Sequence, residues 1–344
     1  MTMGWKAVGL RIVAAAGLVA GAATGAAAQD KVTFGTNWLA QAEHGGYYQA
    51  VADGTYKKYG LDVTIRQGGP QAANRTLLVA GQIDFYMGGN MLQSIDSVKQ
   101  GIPTIVVAAI FQKDPQMLMA HPDSGVEKFA DLAKLPTIFM GKDGFITFFQ
   151  WMKVAYPGFK DEQYKPYTFN PAPFIADKKS AQQGYITSEP FEVEKQAGWK
   201  PKMFLLADNG FDTYSTTIET TQKLVDTKSD MVQRFVDASI IGWYNYLYGD
   251  NKAANALIKK DNPEMTDAQL AFSIAKMKEF GIVESGEALA KGIGCMIDAQ
   301  HKSFYDKMAG AKVVDAGVDY TKSFTTKYVC KGVGLDVKKK LAGG

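Results

Sequence analysis

"KVTFGTNWLAQAEHGGYYQAVADGTYKKYGLDVTIRQ", residues 31–67, changes its hydrophobic period twice. Val32 and Phe34 sit two apart, which is strand spacing. Residues 45–59 carry apolar side chains at helical spacing, and Leu61, Val63 and Ile65 return to alternation. A strand, a helix and a second strand packed this closely make a βαβ unit, the seed of an α/β sheet rather than of a bundle or sandwich.

The pattern continues outward from this unit. A helix is expected over 71–80, a strand at "IDFYMGG" (83–89), a helix over 91–100, and a buried strand at "TIVVAAIF" (104–111), bounded by Pro103. Around "QMLMAHPDSGV" (116–126) the rhythm restarts. Helices are expected over 126–133, 144–155, 172–177 and 190–197, with strands at "TIFMG" (137–141), "YKPYTFN" (164–170), "AQQGYIT" (181–187) and "KMFLLA" (202–207). A return strand, "TYSTTIET" (213–220), leads into helices over 229–248, 252–260 and 266–280, with Ser229, Asp250 and Thr266 as candidate caps. The expected organisation is a signal peptide at 1–28, a first lobe at 29–117, a second lobe at 118–209, and a return to the first lobe at 210–344. No Pro/Gly/Ser-rich linker joins the lobes, so strands are expected to cross between them and leave a cleft that can close.

The N-terminus begins with Lys6 and Arg11, continues with an apolar Ala/Gly-rich stretch over 12–23, and reaches Ala26, Ala27 and Ala28 before Gln29. That is the layout of a secretory signal peptide. The expected location is the periplasm. The chain has 38 Lys and Arg against 35 Asp and Glu, and this near-balance argues against nucleic acid as a partner. In an oxidising compartment Cys295 and Cys330, the only cysteines, are expected to be bridged.

Four stretches in order, "NW…H.G.Y.A…G.Y..YGLDV", "AGQIDF", "QGIPTIVVAAIFQ" and "GYITSEPF", resemble the periplasmic solute-binding proteins of ABC importers. The resemblance is to the family that includes binders of thiamine pyrimidine precursors, riboflavin, sulfonates and nitrate, and it runs from about residue 31 to 280. It implies a two-lobed type II periplasmic binding fold, hinge closure on a small molecule, delivery to a membrane permease, and no resident cofactor. It further implies that Asn37, Trp38 and Glu189 face the cleft. The first stretch is most similar to the branch that takes pyrimidine- or flavin-type heterocycles, and a monomer is expected.

Trp38 follows a strand, at the end of an α/β sheet where ligands collect, and is read as a stacking face or as lobe core. His44 is either a ligand donor or a helix cap. Gly88, Gly89 and Asn90 end a strand before a helix and are read as baring backbone N–H groups, although no Lys follows at phosphate-loop spacing. In the second lobe Lys142 is a counter-charge or a solvated lysine, and Phe145 is a candidate to face Trp38 across the cleft or to be plain core. Ser188 and Glu189 open a helix before Pro190; the carboxylate either lines the site, accepting paired N–H groups of an aminopyrimidine, or is a simple charge at the helix start. Asp212 and Tyr214 are candidates for a second polar wall.

No enzyme is expected. There is no G-x-S-x-G, no H-E-x-x-H and no Cys-His pair. A pyrimidine-synthesising enzyme of the same fold carries a cysteine-dense run where this chain reads "LLADNGFDTYSTT" (205–217). His121, in a turn before Pro122, and His301, read on a surface-like helix, are not expected to join His44 in a metal site. Carriage of riboflavin, or of an anion such as a sulfonate, taurine or nitrate, is the alternative function, as is feeding a sensor rather than a permease; the pyrimidine-synthesising enzyme of the same fold is a more distant one.

Overall fold

The computed structural model describes residues 1–5, 28–69 and 72–343, so the expected signal peptide lies almost wholly outside the described residues. Ten strands form two sheets of five. They are β1 (Asp30–Gly35), β2 (Leu61–Arg66), β3 (Phe85–Asn90), β4 (Thr104–Phe111), β5 (Gln116–Ala120), β6 (Thr137–Met140), β7 (Tyr164–Pro166), β8 (Ser180–Tyr185), β9 (Lys202–Leu205) and β10 (Ser215–Thr221).

The first sheet has the order β2-β1-β3-β10-β4 and the second β7-β6-β8-β5-β9. Within each, the early strands run parallel, as βαβ units must. The exceptions are β10, antiparallel to β3 and β4, and β5, antiparallel to β8 and β9. Each of these two strands has just arrived from the other sheet. The chain therefore crosses between lobes twice, over residues 112–115 and 206–214, with the cleft between.

By pairing, β4 is an edge strand, yet all eight of its residues are buried. An unpaired edge exposes backbone donors and acceptors. Here the C-terminal region covers them: Ala109 N donates to Gly294 O at 3.1 Å and Thr325 N to Val106 O at 2.9 Å. The unbroken apolar run of β4 thus reflects a covered edge rather than a central position. The same region contains the Cys295–Cys330 disulfide, S–S 2.04 Å.

Against the first sheet lies the helix Ser229–Tyr248, with the residue limits expected from its periodicity. Phe235 stacks on Phe85 at 4.0 Å and on Tyr56 at 5.4 Å. The helix Gly45–Ala52 crosses it so closely that a Cβ on Gly46 would lie 2.2 Å from the Trp243 ring. The glycines of the opening stretch therefore serve a helix crossing, while Tyr47 and Tyr48 fill core.

Some expectations need correction. The helix expected over 144–155 is two, Lys142–Ile146 and Phe148–Ala155, broken at Thr147 (φ −112°, ψ −98°). That over 126–133 is a 3-10 turn, Phe129–Lys134. Thr266 does cap its helix, accepting from Gln269 N at 3.2 Å, whereas Ser229 makes no cap and bonds the Tyr328 hydroxyl. His301 is not on the surface. It is 3% exposed, stacked at 3.6 Å on Phe324, because the Asp298–Gly310 helix is covered by the chain that follows it.

Candidate functional site: the cleft between the sheets

Trp38 lies beyond the carboxyl end of β1, half-buried, and its indole meets Phe169 of the second lobe with ring centroids 3.8 Å apart and planes at 61°. Phe169 follows β7 and holds φ at +68°, in the left-handed region that aromatic residues seldom occupy. Such a conformation costs on the order of 1–3 kcal/mol and persists only where surrounding structure imposes it. Here it brings the ring onto Trp38. Phe145, read as a candidate for that position, instead packs on Tyr164 at 4.3 Å and Phe149 at 5.5 Å. Its helix lies against the edge strand β7, which carries Tyr164, so the ring is taken up by its own lobe.

Asn37 stands beside Trp38 with its Oδ1 buried and without a partner among the described residues. It faces Gly89: a Cβ there would lie 3.8 Å from Asn37 Nδ2. The neighbours of Gly89 are committed to the fold. Gly88 pairs with Thr217 and Asn90 with Ser215 in the β3–β10 register, and Asn90 Oδ1 accepts from Leu92 N at 3.0 Å as a helix cap. Lys142 is exposed, without an ion pair among the described residues. Asp212 and Tyr214 turn away from the cleft. Asp212 pairs with Lys307 at 2.6 Å, and the Tyr214 hydroxyl accepts from Ile297 N at 3.2 Å. Lys307 of the helix Asp298–Gly310 and Ile297 just before it claim the two residues.

His44 is 1% exposed, and both ring nitrogens are buried without partners among the described residues. Burial lowers its pKa to about 3, so the ring is neutral. It makes no side-chain cap to the helix Gly45–Ala52, which removes the capping alternative. His121 is also buried, its Nε2 2.7 Å from Phe174 O. Among the described residues no three of His, Cys, Asp and Glu are grouped so as to hold a metal ion.

Ser188 is buried just before the helix Glu189–Ala197 and makes no side-chain cap. Glu189 folds back over the end of β8, its Oε2 accepting from Tyr185 N at 2.7 Å. That fold-back depends on Gly184, where a Cβ would lie 2.7 Å from Glu189 Cβ. The sequence reading did not foresee the company Glu189 keeps. Glu43, from the first lobe and 1% exposed, accepts from the Thr187 hydroxyl of the second, and its Oε2 has no partner. Asp114, 2% exposed in the first crossover, accepts from Gln116 N at 3.0 Å. Burial raises all three carboxyls, Glu43, Asp114 and Glu189, to about 7. Burial first, then the charges of Asp114, Glu43 and Glu189, hold the Tyr185 phenol far above its usual range. No Lys or Arg among the described residues pairs with any of the three.

A family model described as NMT1/THI5 like matches residues 41–254. The chain belongs to the NMT1/THI5-like family. Among solved structures, the chain is similar to a protein of Bordetella bronchiseptica RB50 (16% identity, 90% of this chain and 98% of that one, TM-score 0.65). It is also similar to the periplasmic nitrate-binding protein NrtA of Synechocystis PCC 6803 (14%, 90% and 90%, 0.61) and to the periplasmic aliphatic sulphonate-binding protein SsuA of Escherichia coli (13%, 86% and 91%, 0.59). At such identities the fold is what is shared, and it is that of periplasmic binding proteins. The fold is not confined to carriers, since the desulfurization enzyme DSZB also has it (13%, 87% and 97%, 0.56). No curated protein sequence matches. The NMT1/THI5-like match covers the cleft residues from Glu43 to Glu189 and leaves Asn37, Trp38 and the C-terminal region outside.

Proposed function

We propose that this protein is the substrate-binding component of an ABC importer, acting in the periplasm as a monomer. Its cleft captures a basic aromatic heterocycle, of the class of thiamine pyrimidine precursors, for delivery to a membrane permease. The observation that carries the reading is the set of three buried carboxyls, one from each lobe and one from a crossover, with no Lys or Arg among the described residues paired to them. A buried carboxylate is costly unless paired or hydrogen-bonded. A ligand bearing N–H donors or a positive charge supplies the missing partner, whereas a sulfonate or nitrate meets charge of its own sign. The Trp38–Phe169 pair, one ring from each lobe, offers flat apolar faces for an aromatic ring. Ligand contacts divided between lobes favour the closed form by differential affinity.

The test is calorimetric titration of the mature protein with 4-amino-5-hydroxymethyl-2-methylpyrimidine, riboflavin, taurine and nitrate. The aminopyrimidine is expected to bind, and Glu189→Gln to weaken it by about 10- to 100-fold, the equivalent of one charge-assisted hydrogen bond of ~1.5–3 kcal/mol. Trp38→Ala should abolish the ligand-induced change in indole fluorescence. Binding of taurine or nitrate alone, indifferent to Glu189→Gln, would discard the heterocycle, and turnover of any ligand by the isolated chain would discard the carrier.

A further inference from the structure

Beside the cleft lies a cavity of 390 Å³, within the size range of small-molecule sites. One side is apolar: Leu92 and Ile95 from the helix Met91–Lys99, Ile146 from the second lobe, and Val313, Val314 and Val318. The valines follow the helix Asp298–Gly310 and lie outside the family match. This chamber is therefore walled by a part of the chain that the family resemblance does not describe.

Tyr86, Gln93 and Arg75 also line the chamber. Tyr86 is 6% exposed, and its hydroxyl makes no hydrogen bond among the described residues. Gln93 Oε1 is buried and has no partner among the described residues. Arg75 is already engaged: its guanidinium holds Glu219 at 3.1 Å, the Gln93 carbonyl at 3.0 Å and the Ser97 hydroxyl at 2.6 Å. The lining also carries Lys99 and three carboxylates, Asp96, Asp143 and Asp315. The chamber thus presents spare acceptors, an excess of negative charge and an aliphatic wall. An unpaired buried acceptor costs free energy that a donor removes, negative surroundings select a cation, and the valines favour a short alkyl body.

We propose that this chamber binds an aliphatic ammonium group, with its N–H groups donating to Gln93 Oε1 and the Tyr86 oxygen and its alkyl part lying on Val313, Val314 and Val318. Asp143, Ile146 and Thr147 come from the second lobe and the other walls do not, so an occupant touches both lobes and favours closure. The group is either a free alkylamine or the aminoalkyl arm of the ligand held in the cleft, and the second possibility rests on the heterocycle reading above.

The experiment is calorimetric titration of the mature protein with n-butylammonium and with butyrate at neutral pH. The variants are Gln93→Leu, Tyr86→Phe and Val314→Trp, with melting curves taken in parallel to show that each folds. Butylammonium is expected to bind and butyrate not. Gln93→Leu and Tyr86→Phe should each weaken binding several-fold or more, and Val314→Trp should abolish it by filling the space. Equal binding of butyrate, or indifference to Gln93→Leu, Tyr86→Phe and Val314→Trp, would overturn the assignment. Repeating the titration in the presence of 4-amino-5-hydroxymethyl-2-methylpyrimidine separates the sources. Independent binding of both molecules supports a free amine, and tighter binding of a pyrimidine bearing a 5-aminoalkyl chain supports an arm. Failure of the pyrimidine to bind would discard the cleft reading while the butylammonium result still decides the chamber.

Discussion

Glu43 is a carboxyl removed from water, and its proton is linked to folding. Its pKa in the fold is about 7 against an ordinary value of 4.5, with Asp114 and Glu189 raised in the same sense. Between about pH 4.5 and 7 the native state keeps protons that the unfolded chain has lost, so stability is present below that window and falls as pH rises through it. The ligand-free protein is therefore expected to melt at progressively lower temperature from pH 4.5 to 8. Glu43→Gln should flatten part of that slope and raise stability at pH 8 by about 1–3 kcal/mol. A melting temperature that is level or climbs over the same range would refute the linkage. Trp38 and Glu189 were legible in the sequence because each follows a strand end and sits in a stretch with a family likeness. Glu43 and Asp114 were not. A carboxylate inside an amphipathic segment looks solvated until the fold brings a distant chain over it, and Glu43 is buried by Thr187, 144 positions away.

Elements were legible where their periodicity was long or their apolar run unbroken, as in β4 and the helix Ser229–Tyr248. The strand β5, five residues of mixed Met, Leu, Gln and Ala, offered no such period, and its strand character comes from pairing with β8 and β9. The C-terminal region was equally opaque, because its short helices are held by contacts to the rest of the molecule rather than by their own pattern. It grips both crossovers: Gln112 N donates to Ile282 O at 2.8 Å, Gln112 Nε2 to Cys295 O at 2.9 Å, and Ile297 N to the Tyr214 hydroxyl. The disulfide closes this region over 35 positions. Loop-closure entropy then predicts that the Cys295→Ser, Cys330→Ser double variant loses about 3–4 kcal/mol in urea melts. A variant as stable as the parent would mean that packing alone holds the region. At the helix crossing, Gly46→Ala places a methyl group against the Trp243 ring and should cost about 2–3 kcal/mol in the same assay. A neutral result would mean that the crossing relaxes freely.

At the scale of the whole molecule the two-sheet frame was readable from the restart of the βα rhythm, but the contacts that join the lobes were not, since each pairs residues from opposite lobes, far apart in sequence. They form a line along the cleft: Trp38 on Phe169, Glu43 with the Thr187 hydroxyl, the Ser273 hydroxyl donating to Thr187 O at 2.6 Å, and Phe191 against Phe272 at 5.4 Å. Thr187 is engaged twice, through its side chain by the first lobe and through its carbonyl by the helix Asp267–Glu279, so it acts as a latch on closure. Thr187→Val keeps the shape and removes the donor to Glu43, leaving a buried carboxyl with one partner fewer, a loss of about 1–2 kcal/mol in the closed form alone. Because only the closed form engages ligand from both sides, that loss should reappear as weaker apparent affinity, about 5- to 30-fold. It should also appear as a larger radius of gyration of the ligand-free protein in small-angle scattering, recovered at saturating ligand. If affinity falls with no change in scattering, Thr187 contacts ligand directly; if neither moves, the lobes are held by their aromatic contacts and the latch is dispensable.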